Sequence, residues 1–554
     1  MADLVLHSGR VFDGRRRHPT ATAVAVTDGR IVAVGTDAEV RAAVGRADES
    51  VDLAGRLLHP GFVDAHLHPV QGGIERLGCD LSETRGVERY LDVVSAFAAA
   101  TTASPDPWIL GGGWAMAEFP GGVPRRELLD ARVPDRPVFL VNRDHHGAWA
   151  NSRALELAGI DASTPDPADG RIERDPDGRP TGTLHEGAME LVVRVAPRPT
   201  AEQVRAGLLA GQAYLHSLGV TGWQDAIVGE YAGMPDSLDA YVTAVRAGEL
   251  TARVVGAQWW PRGVEPDGVA AQVERLAARR DRVRAALGPA GRFRADSVKI
   301  MLDGVAENQT ASLLEPYLDR CGCAGADRGL SYLDAELLRQ VVPALDEAGL
   351  DVHVHVIGDR AARDALDAVA AARRSPRSRG GRHHLAHLQL VAAEDVPRFG
   401  ELGVAANAQA LWACNDAQMT ELTVPFLGSD RVALQYPFAG LVRGGARLAM
   451  GSDWPVSSPD PWAAIAVATT RRPPGSPGTP PLVAEQAVGL EVALGAYTAG
   501  SAWVNRREDE TGLVRVGALA DLVVASVDPF ELPLAELADV RSDLVLVDGR
   551  AVAG

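Results

Sequence analysis

The chain contains a single lysine, Lys299, in the run Phe293-Arg-Ala-Asp-Ser-Val-Lys299-Ile-Met-Leu-Asp-Gly304, and arginine supplies every other basic side chain apart from histidine. A guanidinium keeps its proton in any protein, whereas a buried lysine amine can lose it and become nucleophilic. A neutral amine adds carbon dioxide to give a carbamate, an anion whose two oxygens can bridge two metal ions. Candidate ligands accompany it. In Pro60-Gly-Phe-Val-Asp-Ala-His66-Leu-His68-Pro69 a short strand starts at Phe62, and residues two apart on a strand share a face, so His66 and His68 can converge on one ion. His355 ends Val352-His-Val-His355, His387 ends His383-His-Leu-Ala-His387, and Asp453 follows Leu448-Ala-Met-Gly-Ser, each where an apolar run meets a loop. Imidazole and carboxylate donors suit zinc, with other divalent first-row metals as alternatives.

Such residues need a frame that gathers strand ends. Helical periodicity over 201–218, 334–348 and 360–374 alternates with apolar strands such as 351–356 and 447–451. Repeated strand-helix order predicts an α/β fold with a parallel sheet, either a (β/α)8 barrel or an open doubly wound sheet. No Gly-x-Gly-x-x-Gly follows the first strand, which counts against the dinucleotide-binding version. In a barrel the strand C-termini open on one face, and there the four histidines, Asp453 and Lys299 could meet. At the N-terminus, alternating runs flank Asp28-Gly29, a hairpin signal, and 520–525 and 544–549 repeat that texture at the other end. Both ends therefore read as one sheet domain, with the barrel inserted between them. Stretches 104–124, 161–182 and 472–481, rich in Pro, Gly or Asp, read as loops of the kind that form lids or substrate walls.

Composition narrows the function. A formal net charge of -18 is wrong for a phosphate backbone, so no nucleic-acid partner is expected. Neither a secretory leader nor a membrane-length apolar run is evident, which predicts a cytoplasmic protein without a membrane partner, acting on a small-molecule substrate. A homodimer is left open. Cys79, Cys321, Cys323 and Cys414 are too few and scattered for a disulfide framework, and the one-residue spacing of Cys321 and Cys323 departs from the usual metal or redox pair.

The sequence resembles the amidohydrolase superfamily, and within it the YtcJ-like amidohydrolase 3 group that includes N-substituted formamide deformylases. The resemblance runs through Pro60 to His68, Gly112-Gly-Trp114, His146-Gly-Ala-Trp-Ala-Asn-Ser152, Val298-Lys-Ile-Met-Leu-Asp-Gly304, Thr310 to Tyr317, His355-Val-Ile-Gly-Asp-Arg-Ala361, Gly451-Ser-Asp-Trp-Pro455, Tyr497-Thr-Ala-Gly500 and Gly517 to Leu522. It implies a distorted (β/α)8 barrel over 59–502, with a loop-rich insertion at about 70–200, and a small β-sandwich made of 1–58 with 503–554. It further implies His66, His68 and Asp453 on one ion, His355 and His387 on a second, and carboxylated Lys299 as the bridge. Ala386 departs from the pattern, because much of the wider family has an acidic residue before the strand-six histidine; this bears on the support of His387 and on whether one or two ions are held.

The chemistry expected of such a site is hydrolysis of a C-N amide bond. Asp453 is the candidate proton shuttle and His146, ahead of His145, the candidate oxyanion donor. Glu186 competes with Lys299 as bridging ligand and ranks below it. Asp303 could orient Lys299 or bind substrate, its alternative being a turn aspartate. Trp114, Trp149, Trp412 and Trp454 could wall an apolar pocket or simply pack, and Trp114, Asp303 and Trp412 are taken as the substrate-binding candidates. His353 reads as a packed residue one layer below His355, His383 and His384 as loop or supporting groups, and His7, His18, His59 and His216 have no assigned partners. The absence of a clear arginine pair favours a neutral or hydrophobic N-formyl or N-acyl amine. A deaminase or cyclic-amide hydrolase is the alternative on the same ligands, although deaminases of this superfamily do without the bridging lysine; a catalytically inactive binding protein ranks last.

Overall fold

The structure, a computed structural model, describes residues 2–554 apart from 103–106, 168, 232, 289–290 and 320. Among the described residues, eight strands form one parallel sheet: β1 (Phe62–Leu67), β2 (Val220–Val228), β3 (Arg253–Trp259), β4 (Phe293–Met301), β5 (Asp351–Val356), β6 (His384–His387), β7 (Ala405–Ala408) and β8 (Leu448–Met450). They are hydrogen-bonded in sequence order from β1 to β8. Beyond β8 the chain returns to β1, where Asp453 N donates to His66 O and His68 N to Trp454 O, each at 2.7 Å, so the barrel is nearly closed.

Helices cover the outside for local reasons. In Ala335–Glu347 the buried Leu338, Val341, Val342 and Leu345 fall on one face at helical spacing, and the Asp334 carboxylate caps the first turn by accepting from Glu336 N and Leu337 N. The helix Ala201–Ser217 starts on a reciprocal capping box between Thr200 and Gln203. Strand β5 shows how the sequence serves both faces. Val352, Val354 and Val356 belong to the apolar core under the helices, while the alternating His353 and His355 point the other way, into the barrel. A barrel interior is ordinarily filled by branched apolar side chains. Here Gln224, Lys299, His353, His384 and Asn407 are buried there instead.

Chain ends build two further sheets. One holds Ala2–His7, Ala23–Thr27, Arg30–Gly35 and Ala47–Asp52; the other combines Arg10–Val11 and Leu57–Pro60 with Leu522–Ala525, Ser542–Val547 and Arg550–Ala553. Asp28 and Gly29 both have positive φ, 49° and 72°, the requirement of the tight hairpin turn that their pairing signals. Arg253 at the base of β3 anchors the second of these sheets to the barrel through Asp521 (2.5 Å) and Asp548.

The insertion differs from the loop-rich expectation. It contains a six-stranded sheet in the order Gly170–Arg174, Pro180–Glu186, Gly147–Ala150, Val138–Asn142, Ile109–Trp114 and Cys79–Asp80. The strand Ile109–Trp114 is disguised by Gly111-Gly112-Gly113. Glycine is needed there because a Cβ on Gly111 would lie 2.1 Å from Cys79 O on the adjacent strand. Positions 104–106 and 168 of the stretches read as loops lie outside the described residues. The 472–481 stretch is irregular, held by Arg472 donating to Pro477 O and Thr479 O, and it takes no part in the cavity described below. Among the described residues no helix is long and apolar enough to cross a membrane.

Candidate active site

Asp453 is the hub of the barrel mouth. Its Oδ1 lies 3.1 Å from His66 Nε2 and 3.0 Å from His68 Nε2, and its Oδ2 is 3.9 Å from His387 Nδ1. Two features place it. A Cβ on Gly451 would meet His66 N at 2.5 Å, so only glycine lets the chain after β8 press against β1. Buried Asp64 then ties the two together, accepting from His66 N at 3.0 Å and from Ser452 N at 3.0 and 3.1 Å. Asp453 and His387 themselves adopt φ of 59° and 77°, a region that non-glycine residues occupy at a cost and that clusters at functional sites.

Lys299, on β4, is 2% exposed, with Nζ 3.4 Å from His66 Nε2. Burial pushes its ammonium down to about 7, with Asp453 opposing the shift. His355, from β5, places Nε2 3.2 Å from Gly304 O and 3.7 Å from Asp303 Oδ1, which leaves Nδ1 as its unengaged ring nitrogen among the described residues. The His387 ring lies parallel to Trp412, centroids 5.1 Å apart, and its backbone N donates to Gln409 Oε1 at 2.7 Å. Gln409 and Trp412 thus support His387, where Ala386 offers nothing polar.

These residues fit a divalent cation. Among the described residues both ring nitrogens of His387 are buried without a hydrogen-bond partner, and Asp453 Oδ1 has only its ion-pair contacts with His66 and His68, an arrangement that is costly unless something else satisfies these atoms. Ligand atoms of His66, His387 and Asp453 all lie within 4.8 Å of one another. Burial, helped by the Lys299 charge, pushes His66 down to about 3, and burial likewise holds His355 and His387 well below the ordinary histidine range. They are therefore neutral, the form that ligates metal. Asp453, despite its burial, is kept ionised by His66, His68 and His387 around it.

A cavity of about 1010 Å³ opens over this cluster, lying between the barrel mouth and the inserted sheet. His146, Glu186 and His145 enter it from the insertion. His146 Nδ1 sits 2.9 Å from Glu186 Oε1; burial opposes the charge, but the carboxylate prevails and holds His146 at about 9. Glu186 also accepts from Asn308 at 3.4 Å and is engaged there rather than with the other candidate ligands. His145 Nδ1 is 2.8 Å from Gln71, and burial with nearby His68 pushes its imidazole down to about 3.

Two substrate-binding expectations are corrected. Trp114 is fully buried in the core of the inserted sheet against Phe119 and Trp149, its indole N–H donating to Leu140 O at 2.8 Å; a strand residue facing that core cannot reach the cavity. Asp303 is also fully buried and accepts from Ser312 N, Ile357 N and Gly358 N at 2.8–3.1 Å, so it organises the loops after β4 and β5 and stays out of the cavity lining. Trp454 packs on Tyr214, outside the lining, whereas Trp412 does line the cavity. His353 is more than packing, because it hydrogen-bonds to His66, and His384 lies beside it in the barrel. His383 sits lower, 3.3 Å from Asp346. Cys321 and Cys323 are exposed free thiols. Gln224 and Gln409 carried no sequence signal, since each acts through partners distant along the chain, while Asp64, inside the Pro60–His68 motif, takes its second partner from Ser452 beyond β8.

The profile of the amidohydrolase family matches residues 49–553. The YtcJ amidohydrolase of Bacillus subtilis is 28% identical, covering 99% of both chains, and the N-substituted formamide deformylase of Arthrobacter pascens is 26% identical, covering 99% of this chain and 98% of its own. A crystal structure of an uncharacterized metal-dependent hydrolase from Pyrococcus horikoshii OT3 superposes with a TM-score of 0.72 at 26% identity, over 96% of this chain and 99% of that one. The chain belongs to the amidohydrolase family, and is a metal-dependent hydrolase acting on carbon–nitrogen bonds.

Proposed function

We propose that the protein hydrolyses the C–N bond of an N-formyl or N-acyl amine carrying an apolar group. The observation that carries this reading is the chain's only lysine, buried beside His66 and pushed to about 7, at a barrel mouth where, among the described residues, both His387 ring nitrogens lack hydrogen-bond partners. Near neutral pH a large fraction of such an amine is uncharged. It adds to carbon dioxide, forming one C–N bond and releasing one proton, and the product carbamate supplies two anionic oxygens. In this reading His66, His68 and Asp453 would hold one zinc ion and His355 with His387 a second, with the Lys299 carbamate between them. The bound metal would supply Lewis acidity, easing ionisation of water and polarising the substrate carbonyl.

The chain's own groups do the rest. Asp453 accepts a proton from the attacking water as the new C–O bond forms, and delivers it to the nitrogen as the C–N bond breaks. The electron pair of the carbonyl moves to oxygen, where the His146 imidazolium donates a hydrogen bond. Glu186 keeps His146 charged for that role. The apolar arm of the substrate is supported by the lining: Leu110, Phe139, Val141 and Met189 face the cavity from the insertion side and Trp412 from the barrel side. A relative named for deformylation of N-substituted formamides points the same way.

The test is a panel of N-formyl alkylamines, N-acyl amines, cyclic amides and aminopurines offered to the zinc-loaded protein, following amine, carboxylate and ammonia release. Turnover is expected for acyclic amides, with kcat/KM rising as the amine substituent becomes larger and apolar. Ammonia release from aminopurines without amide cleavage would replace this reading with deamination.

A further inference from the structure

Behind His66 stand three buried residues to which the reaction assigns no role. Gln224 on β2, His353 on β5 and Asn505, which follows the helix Ser501–Val504, are 1%, 0% and 2% exposed, and none lines the cavity. Their hydrogen bonds run in line across the barrel interior. Gln224 Nε2 donates to Asn505 Oδ1 at 2.9 Å. This leaves Gln224 Oε1, which can only accept, 2.6 Å from His353 Nδ1, so Nδ1 carries the His353 proton. A neutral imidazole has one ring proton, and among the described residues His353 has no ion-pair partner to hold a second. Its Nε2 therefore presents a lone pair to His66 Nδ1 at 2.8 Å, and that contact is a hydrogen bond when His66 is protonated on Nδ1. His66 Nε2, the atom facing Asp453 at 3.1 Å and Lys299 at 3.4 Å, is then free of a proton, and the chain works there against the pull of the Asp453 carboxylate for an Nε2–H.

We propose that Asn505, Gln224 and His353 form a one-directional hydrogen-bond chain that fixes His66 as its Nδ1–H tautomer and so presents the Nε2 lone pair to a divalent cation. The inference rests on His66 being a ligand, and it assigns positioning roles to residues that touch neither metal nor substrate. A metal-bound histidine ordinarily gives its second N–H to one acceptor. Here the acceptor is a second imidazole, whose own polarity is set by a carboxamide on β2 and, beyond it, by a residue of the C-terminal segment. Reversing both carboxamides would carry the proton through to His66 Nε2, where it blocks a cation. The polarity of the chain thus controls metal affinity, and the C-terminal segment that supplies Asn505 is part of the control.

Nitrogen NMR of metal-free protein labelled in its histidines, with His66 assigned by the signal lost in His66→Asn, reads the tautomer directly. The Nδ1–H form is expected for His66; the Nε2–H form in the wild type overturns the proposal. Calorimetric zinc titration of Gln224→Leu and His353→Phe should show affinity weakened roughly ten- to a hundredfold. Gln224→Glu supplies His353 with the carboxylate that lets it hold a second proton on Nε2, so it too should weaken zinc binding roughly ten- to a hundredfold and move His66 towards the Nε2–H form. A purely structural role would lower the melting temperature while leaving tautomer and zinc affinity unchanged, and Gln224→Leu binding zinc as tightly as wild type would equally overturn it. Failure of the wild type to bind zinc at all would instead remove His66 as a ligand, with the tautomer measurement still deciding the chain.

Discussion

The imidazoles at the barrel mouth and the imidazole of His146 on the inserted sheet face one cavity, yet burial acts on them with opposite outcomes. His66 is pushed to about 3 and His355 and His387 well below the ordinary range, while His146 is held at about 9. The difference is the company each keeps. His146 has its own carboxylate, Glu186, at 2.9 Å; the barrel histidines share Asp453 among three rings and have Lys299 alongside. One wall of the cavity therefore offers lone pairs and the other a proton. In the proposed reaction that contrast would divide the cavity into a metal-binding wall and an oxyanion-stabilising wall.

Substitutions that collapse the contrast should act in order of how directly each group reacts. Asp453→Asn removes the proton shuttle and a ligand together, and kcat should fall by about 10²–10⁴-fold or more, measured with saturating N-formyl amine. Lys299→Arg and Lys299→Ala should each lose the carbamate and most turnover, with about tenfold or larger reductions and partial rescue of the alanine variant by short carboxylates. Retention of full turnover and metal content by Lys299→Arg would remove the carbamate from the account. Glu186→Gln should leave metal content intact and move a pH limb instead. In the wild type the His146 proton is lost as pH rises through about 9, so activity falls on that alkaline side. Without Glu186 the limb should move down by roughly two units or more, towards and below the ordinary histidine value. The sign is the same for stability: the raised pKa of His146 contributes stability that is fully present below the ordinary histidine value and lost as pH rises through about 9. The smallest change is expected for Trp412→Ala, a rise in KM of about two- to tenfold from lost ring contact, whereas Trp114→Phe should lower the melting temperature and leave KM unaltered.

What could be read from the sequence follows the same physical line. The metal-site candidates lie at ends of apolar runs, so strand periodicity and a His-x-His spacing were enough to point them at one face of a parallel barrel. The tight Asp28-Gly29 turn was legible because positive φ at consecutive positions demands those residues. The strand Ile109–Trp114 was not, since three glycines carry no side-chain alternation; the close approach to Cys79 that requires them exists only once the sheet is assembled. Trp114 and Asp303 were misplaced for a related reason. A residue next to a motif is adjacent in sequence, while facing the cavity depends on which side of a strand or loop it leaves. The supports of the site, Gln224 and His353 behind His66 and Gln409 with Trp412 behind His387, are contacts between different barrel strands and loops, and no local pattern encodes them.

The central claim is that the barrel-mouth residues work by holding a catalytic divalent ion, and metal removal tests it most directly. Purified protein should contain one or two equivalents of zinc or a related metal, lose amide hydrolysis on chelation in step with metal loss, and recover when zinc and bicarbonate are returned. Full turnover by the metal-free protein would contradict the account.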